Sequence, residues 1–236
     1  MESNILTAVF LPLALAIIML GLGLSLTVND FKRILIYPKA IFIGLLCQMV
    51  ILPVLCFLIA QGFWLSAELA VGLMLLAASP GGPTANLFSH LSKGDVALNI
   101  TLTAVNSILT LFTLPFIVNF SIELFMESGQ VIPMQFKKII EVFAIVMIPV
   151  TLGMFIKSKS PGVSLKLEKP VKIVSAIFLV LIILAAVLKE KENIVIYFQQ
   201  VGMPALVFNI TSMIIGYFMP RLFRLDKKQC IAIGME

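Results

Sequence analysis

The side chains able to do chemistry in this chain are few, and most are amide or oxygen groups set in apolar runs: Gln48, Asn86, Asn99, Thr103 and Glu236. Asn99 and Thr103 are four residues apart, so a helix stacks them on one face as two oxygen donors, the edge of a site for a hard cation. An unpaired amide or hydroxyl in hydrocarbon costs roughly 2 to 7 kcal/mol, so each of these groups requires a partner from another helix or from an ion. Glu236 closes the apolar run Ile231-Ala232-Ile233-Gly234-Met235. A carboxylate inside a span costs about 2.5 to 3.5 kcal/mol on insertion scales, and a monovalent cation would neutralise it. Two plainer readings stay open: helix-to-helix hydrogen bonding for the amides and hydroxyl, and an interfacial position for Glu236.

The segment Ser79-Pro80-Gly81-Gly82-Pro83-Thr84-Ala85-Asn86 interrupts a hydrophobic stretch. Two prolines and two glycines do not continue an α-helix, and inside a bilayer the backbone groups they free must be satisfied by protein, water or a bound solute. Gly81 and Gly82 permit close backbone approach. Pro83 suits the first position of a following half-helix, whose N–H groups face the break and attract anions. Pro83, Thr84 and, in a later run, Asn209 are the candidate substrate contacts; Asn209 could instead bond across helices, and the break could be a kink used only for packing. Cation ligands beside an anion-favouring helix end suit coupled uptake of an organic anion with sodium.

The elements that must carry these groups are membrane helices. Hydrophobic residues make up 60% of the 236, charged residues 12%, and the mean hydropathy is +1.10, outside the balance of a soluble domain. The expected fold is all-α, a polytopic integral membrane protein. A hydrocarbon core of ~30 Å needs about 20 apolar residues in a helix. Such runs fall at 5–28, 38–60, 65–92 with its break at 79–86, 95–120, 138–156, 171–188 and 195–219, and an eighth begins at Gln229. The first run has no basic leader or cleavage site and reads as a retained span.

Charge orients these spans. Of the 17 basic residues, 13 fall in one set of alternating loops, among them Lys32, Lys93, Lys157, Lys166, Arg221 and Lys228. The positive-inside rule makes that face cytoplasmic and puts the amino terminus outside a plasma or bacterial inner membrane. The first run then points inward and the run at 171–188 outward, as an inverted repeat requires, with 1–120 as a first repeat and 121–236 as an incomplete second. The net charge of +5 belongs to these loops, so nucleic acid is not an expected partner.

Other features carry less. Cys47, Cys56 and Cys230 show no pairing or metal spacing and read as packing residues. His90 reads as interfacial, and Glu68 and Glu141 as first-turn acids facing a helix dipole. No nucleophile stands with a base, and there is no phosphate loop or acid pair, so neither an enzyme nor a cofactor is expected. The rivals to sodium symport are a proton-coupled or uncoupled carrier of organic anions and a nontransporting fragment or subunit.

Several segments together resemble the bile acid:sodium symporter family over nearly the whole chain. They are Ile17 to Leu24 followed by Asn29-Asp30-Phe31, Gln48 with Pro53, Glu68 to Leu73, Ser79 to Asn86, Gly94 to Leu98, Thr103-Ala104-Val105 and Gly234-Met235-Glu236. The resemblance implies an inverted-repeat transporter with a panel (spans 1, 5 and 6) and a core whose two broken helices cross at mid-membrane. It implies two sodium ions near the crossing and an organic anion between panel and core. Asn86, Asn99, Thr103 and Glu236 would serve one sodium, Gln48 and Glu236 the other. Ala85 and Asn99 stand where Ser is common, and Pro83 where Thr is frequent. The family also continues beyond the position of Glu236.

Overall fold

The computed structural model describes residues 11–126 and 136–236, and all regular structure among them is helical. In chain order the α-helices are α1 (Leu11–Ser25), α2 (Val28–Lys32), α3 (Pro38–Leu46), α4 (Leu52–Gly62), α5 (Ala67–Ala78), α6 (Pro83–Leu91), α7 (Val96–Phe125), α8 (Phe136–Lys159), α9 (Pro161–Lys189), α10 (Ile194–Leu222) and α11 (Lys227–Met235). A short 3-10 turn, Arg33–Leu35, follows α2, and a π-helical segment, Cys47–Ile51, joins α3 to α4. Among the described residues, three stretches are long and apolar enough to cross a membrane, Pro38–Gly62, Pro161–Leu188 and Ile194–Leu222, or up to five if two bent pairs each count as one span. One of those pairs is α7, which bends by 59° between Thr110 and Phe112.

The chain forms two compact units, and each draws on both ends of the sequence. The first, residues 1–29 with 135–194, contains α1, α8 and α9, each packed on the other two. Glycine allows this contact. A Cβ on Gly153 would lie 2.7 Å from the Leu20 carbonyl oxygen and the Leu24 nitrogen, and one on Gly23 would strike the Val150 carbonyl. Without a hydrophobic drive between helices in lipid, such small-residue contacts supply much of the association. Lys157 Nζ donates to the Ser25 carbonyl at 2.7 Å, satisfying one of the acceptors left open at the end of α1.

The second unit, residues 30–134 with 195–236, holds the remaining long helices. Its apolar packing has two centres. Ala40, Ile41, Leu98, Leu102, Ala232 and Ile233 join α3, α7 and α11, and Cys56, Ile59, Leu73, Met74, Ala77 and Phe208 join α4, α5 and α10. The two meet through α7, which packs against α3, α5, α6 and α11.

Most expected spans agree with these helices to within a few residues. The main difference is α9, which starts at Pro161 rather than near 171, so Lys166, Lys169 and Lys172 belong to a helix instead of a loop. Pro161 occupies a first-turn position, where its missing N–H costs nothing, and the Lys172 ammonium pairs with Glu168 at 2.6 Å one turn back. Pro170 inside this helix removes a single backbone bond. The start of the first expected span (residues 5–10) and the side chains of Glu141 and Pro83 lie outside the described residues. Glu68 is exposed in the first turn of α5 and His90 exposed in the last turn of α6. Cys47, Cys56 and Cys230 are free and buried.

Candidate functional site

The site forms in the second unit, where α7 and α11 run side by side in register. Asp95 caps α7 by accepting from the Leu98 N–H at 3.1 Å, and a capping box of Asp226 and Gln229 starts α11. The two starts are tied by the Asp95 N–H, which donates to the Lys228 carbonyl at 3.0 Å. One turn on, Asn99 Nδ2 donates to the Ala232 carbonyl at 2.7 Å. One turn further, Thr103 Oγ1 lies 2.6 Å from Glu236 Oε2. Steps of four residues on both helices keep the three contacts on one face of each. The Thr103 hydroxyl is also 3.0 Å from the Asn99 carbonyl. It has one proton, and the shorter contact to a carboxylate takes it.

The break in the third hydrophobic stretch abuts the same carboxylate. α5 ends at Ala78, Ser79 turns to extended backbone, and α6 begins at Pro83 with Gly82 before it. A Cβ on Gly81 would lie 2.7 Å from Glu236 Cδ, Oε1 and backbone oxygen, so only glycine fits there without displacement. Gln48 reaches the break from the other side, and its Nε2 donates to the Ser79 carbonyl at 2.9 Å, satisfying a group that the interruption frees. Gln48 sits in the π-helical segment, where the Leu52 N–H bonds the Cys47 carbonyl five residues back and Pro53 has no N–H for the regular ladder.

Three acceptors are left over. Asn86 Oδ1, Asn99 Oδ1 and Glu236 Oε1 are buried and have no hydrogen-bond partner. They come from α6, α7 and the end of α11, three elements packed against one another. The Asn99 amide is oriented by its donation to a carbonyl, which leaves its oxygen as the unpaired end. An unsatisfied buried acceptor costs about 1 to 3 kcal/mol, more when charged. What these atoms lack is positive charge or a donor, and two neutral oxygens with one carboxylate oxygen suit an alkali cation. No group of three or more His, Cys, Asp or Glu able to hold a metal occurs among the described residues, so nothing there favours a transition metal. Ala85 is buried and contributes only a methyl group.

A cavity of about 420 Å³ opens beside the break, lined among others by Gln48, Ser79, Gly81, Asn209, Ser212 and Glu236. Its size is in the range of small-ligand sites. Of the expected substrate contacts, Asn209 lines it. Thr84 is exposed and is not one of its lining residues, and Pro83 begins α6 behind Gly82. Sequence reasoning did not find Ser212, one turn from Asn209, nor the tie from Gln48 to Ser79. The first was signalled by its spacing; the second depends on how distant helices pack.

Residues 12–197 match the Sodium Bile acid symporter family. An uncharacterized sodium-dependent transporter of Bacillus subtilis (strain 168), YocS, is 28% identical over 96% of this chain and 69% of its own length. A probable chloroplastic sodium/metabolite cotransporter of Oryza sativa subsp. japonica, BASS2, is 26% identical over 94% of this chain and 52% of its own length. The ileal sodium/bile acid cotransporter of Oryctolagus cuniculus is 24% identical over 99% of this chain and 67% of its own length. The chain thus spans between half and about two thirds of the length of these curated relatives. Such proteins are sodium-coupled membrane transporters and not enzymes. With most of its length matched, the chain belongs to the sodium bile acid symporter family.

Proposed function

We propose that the whole protein couples sodium entry to uptake of an organic anion by alternating access. The observation that carries this reading is the trio of buried, partnerless oxygens on Asn86, Asn99 and Glu236. Sodium bound there neutralises the carboxylate and joins α6, α7 and α11. Thr103, hydrogen-bonded to Glu236, completes the set, and Gln48 and Glu236 on the wall of the adjacent cavity serve a second ion. With the cation in place, the region around the break gains positive potential, and an organic acid is drawn to the same cavity, where Asn209 and Ser212 offer hydrogen bonds. Ion and anion thus stabilise each other's binding, which is the thermodynamic content of coupling.

The two-unit division supports a panel of α1, α8 and α9 that moves against a core holding the ion ligands. The repeats 1–120 and 121–236 then run in opposite directions across a cell membrane, with the amino terminus outside. The relatives' names give bile acids and, more broadly, metabolites; a bile acid or a small carboxylate is the substrate class proposed here.

Proteoliposomes of the full-length protein test the coupling. Uptake of taurocholate, as a bile acid, and of pantoate, as a small hydroxy acid, is expected to rise steeply with external sodium and to be near background in choline. Equal uptake in both salts, with a rate set by pH, would establish the proton-coupled or uncoupled carrier instead.

A further inference from the structure

We propose that Asn106 is a second cation station on α7, one turn beyond Thr103, which takes sodium together with part of its hydration shell. The inference rests on the sodium-coupled reading above and extends it to a residue outside that ligand set. Asn99, Thr103, Asn106 and Thr110 follow at intervals of four, three and four residues. At about 100° per residue they fall in a strip roughly 60° wide on one face of the helix. All four are buried, with exposures of 0%, 3%, 1% and 6%. Eleven residues of helix rise about 16 Å, roughly half the hydrocarbon core, so the strip is a polar track through the second unit. It stops where α7 bends after Thr110.

The lower part of the strip has partners. Asn99 donates to Ala232, and Thr103 meets Glu236. Asn106 differs, because both its Oδ1 and its Nδ2 are buried without any partner. An asparagine that ties helices together has its amide bonded to a neighbour, as Asn99 does. One that offers a free acceptor and free donors side by side fits an occupant with both kinds of group. A bare cation would use the oxygen alone. A partly hydrated cation uses both: the ion or a water hydrogen faces Oδ1, and a water oxygen accepts from Nδ2. Polar side chains retained inside membrane helices commonly mark such ion routes. Asn106 thus receives the cation before the unpaired oxygens of Asn99 and Glu236 strip the remaining water.

The test compares Asn106→Leu, which keeps the branching but is apolar and larger, with Asn106→Asp, which keeps the shape and adds charge. Both are made in the full-length protein, and sodium dependence is read by taurocholate or pantoate uptake and by thermal stabilisation of the purified transporter in sodium. The Leu variant should need about tenfold more sodium for half-maximal effect, and the Asp variant several-fold less. If the Leu variant does not accumulate in the membrane, the Asp variant decides alone. Half-maximal sodium within about twofold of wild type in folded protein overturns the proposal. Wild-type uptake indifferent to sodium, with sodium stabilisation intact and lost in Asn106→Leu, would instead overturn the coupling and leave the station standing.

Discussion

Thr103 has the only side chain in direct hydrogen-bond contact with Glu236 among the described residues, so its removal isolates one feature of the proposed ion site. In the full-length protein, Thr103→Ala should raise the sodium needed for half-maximal uptake about tenfold, and Thr103→Ser should restore most of it; a sodium titration of uptake reads both. Gly81→Ala acts differently, because a methyl group would sit 2.7 Å from the Glu236 carboxylate and backbone oxygen. Its expected signature is a loss of maximal uptake together with a lower unfolding temperature, the overpacking costing about 1 to 3 kcal/mol. The candidate groups themselves were legible in the sequence, because amides and a carboxylate in apolar runs demand partners wherever they stand. Asn99 and Thr103 announced their shared face by spacing alone. Asn106 lies on that same face, three residues further, but its significance appears only once both ends of its amide are seen to lack a partner. Nor did spacing reveal that Asn99 bonds Ala232, since that pairing requires two distant helices to lie in register.

Helices α7 and α11 owe that register to their starts. Asp226 accepts from the Gln229 N–H at 2.7 Å while Gln229 answers to the Asp226 N–H, so the start of α11 is held by both halves of a capping box. Such a box satisfies two of the N–H groups that a helix start leaves open. Asp226→Ala is therefore expected to destabilise the second unit by about 1 kcal/mol and Asp226→Ser by less, measured by thermal unfolding in detergent. Hydropathy made the long elements visible, with the exception of the early start of α9, where five lysines between 157 and 172 suggested a loop. Lysine is a good helix former, and only the membrane boundary, not the helix, ends at such charges. The π-helical segment was invisible for another reason. Pro53 signals a disturbed ladder, but whether the chain kinks or widens by one residue is decided by what Gln48 finds to bond.

Every candidate sodium ligand lies in the second unit, residues 30–134 with 195–236. Gly153→Leu would force apart α1 and α8 in the other unit. It should abolish uptake yet leave sodium able to raise the unfolding temperature of the protein that still folds. Orientation has its own check, since Trp64 is 92% exposed in the turn after α4 and Lys93 is exposed in the turn after α6. An impermeant thiol reagent added to intact cells should label Trp64→Cys and spare Lys93→Cys; the reverse pattern would invert the proposed topology. Hydropathy gave the order of the helices but no hint that residues 135–194 return to α1, because that grouping depends on glycine contacts between helices far apart in the chain. The ladder between α7 and α11 also dictates when the site can exist during biosynthesis. Asn99 and Thr103 enter the membrane 133 residues ahead of the partners they bond. At about 5 to 20 residues per second, a ribosome needs roughly 7 to 27 seconds to supply those partners. For that interval α7 carries its polar face without its later mate, so the nascent protein must shelter it among earlier helices or the insertion machinery, and the proposed ion site cannot form until α11 has followed.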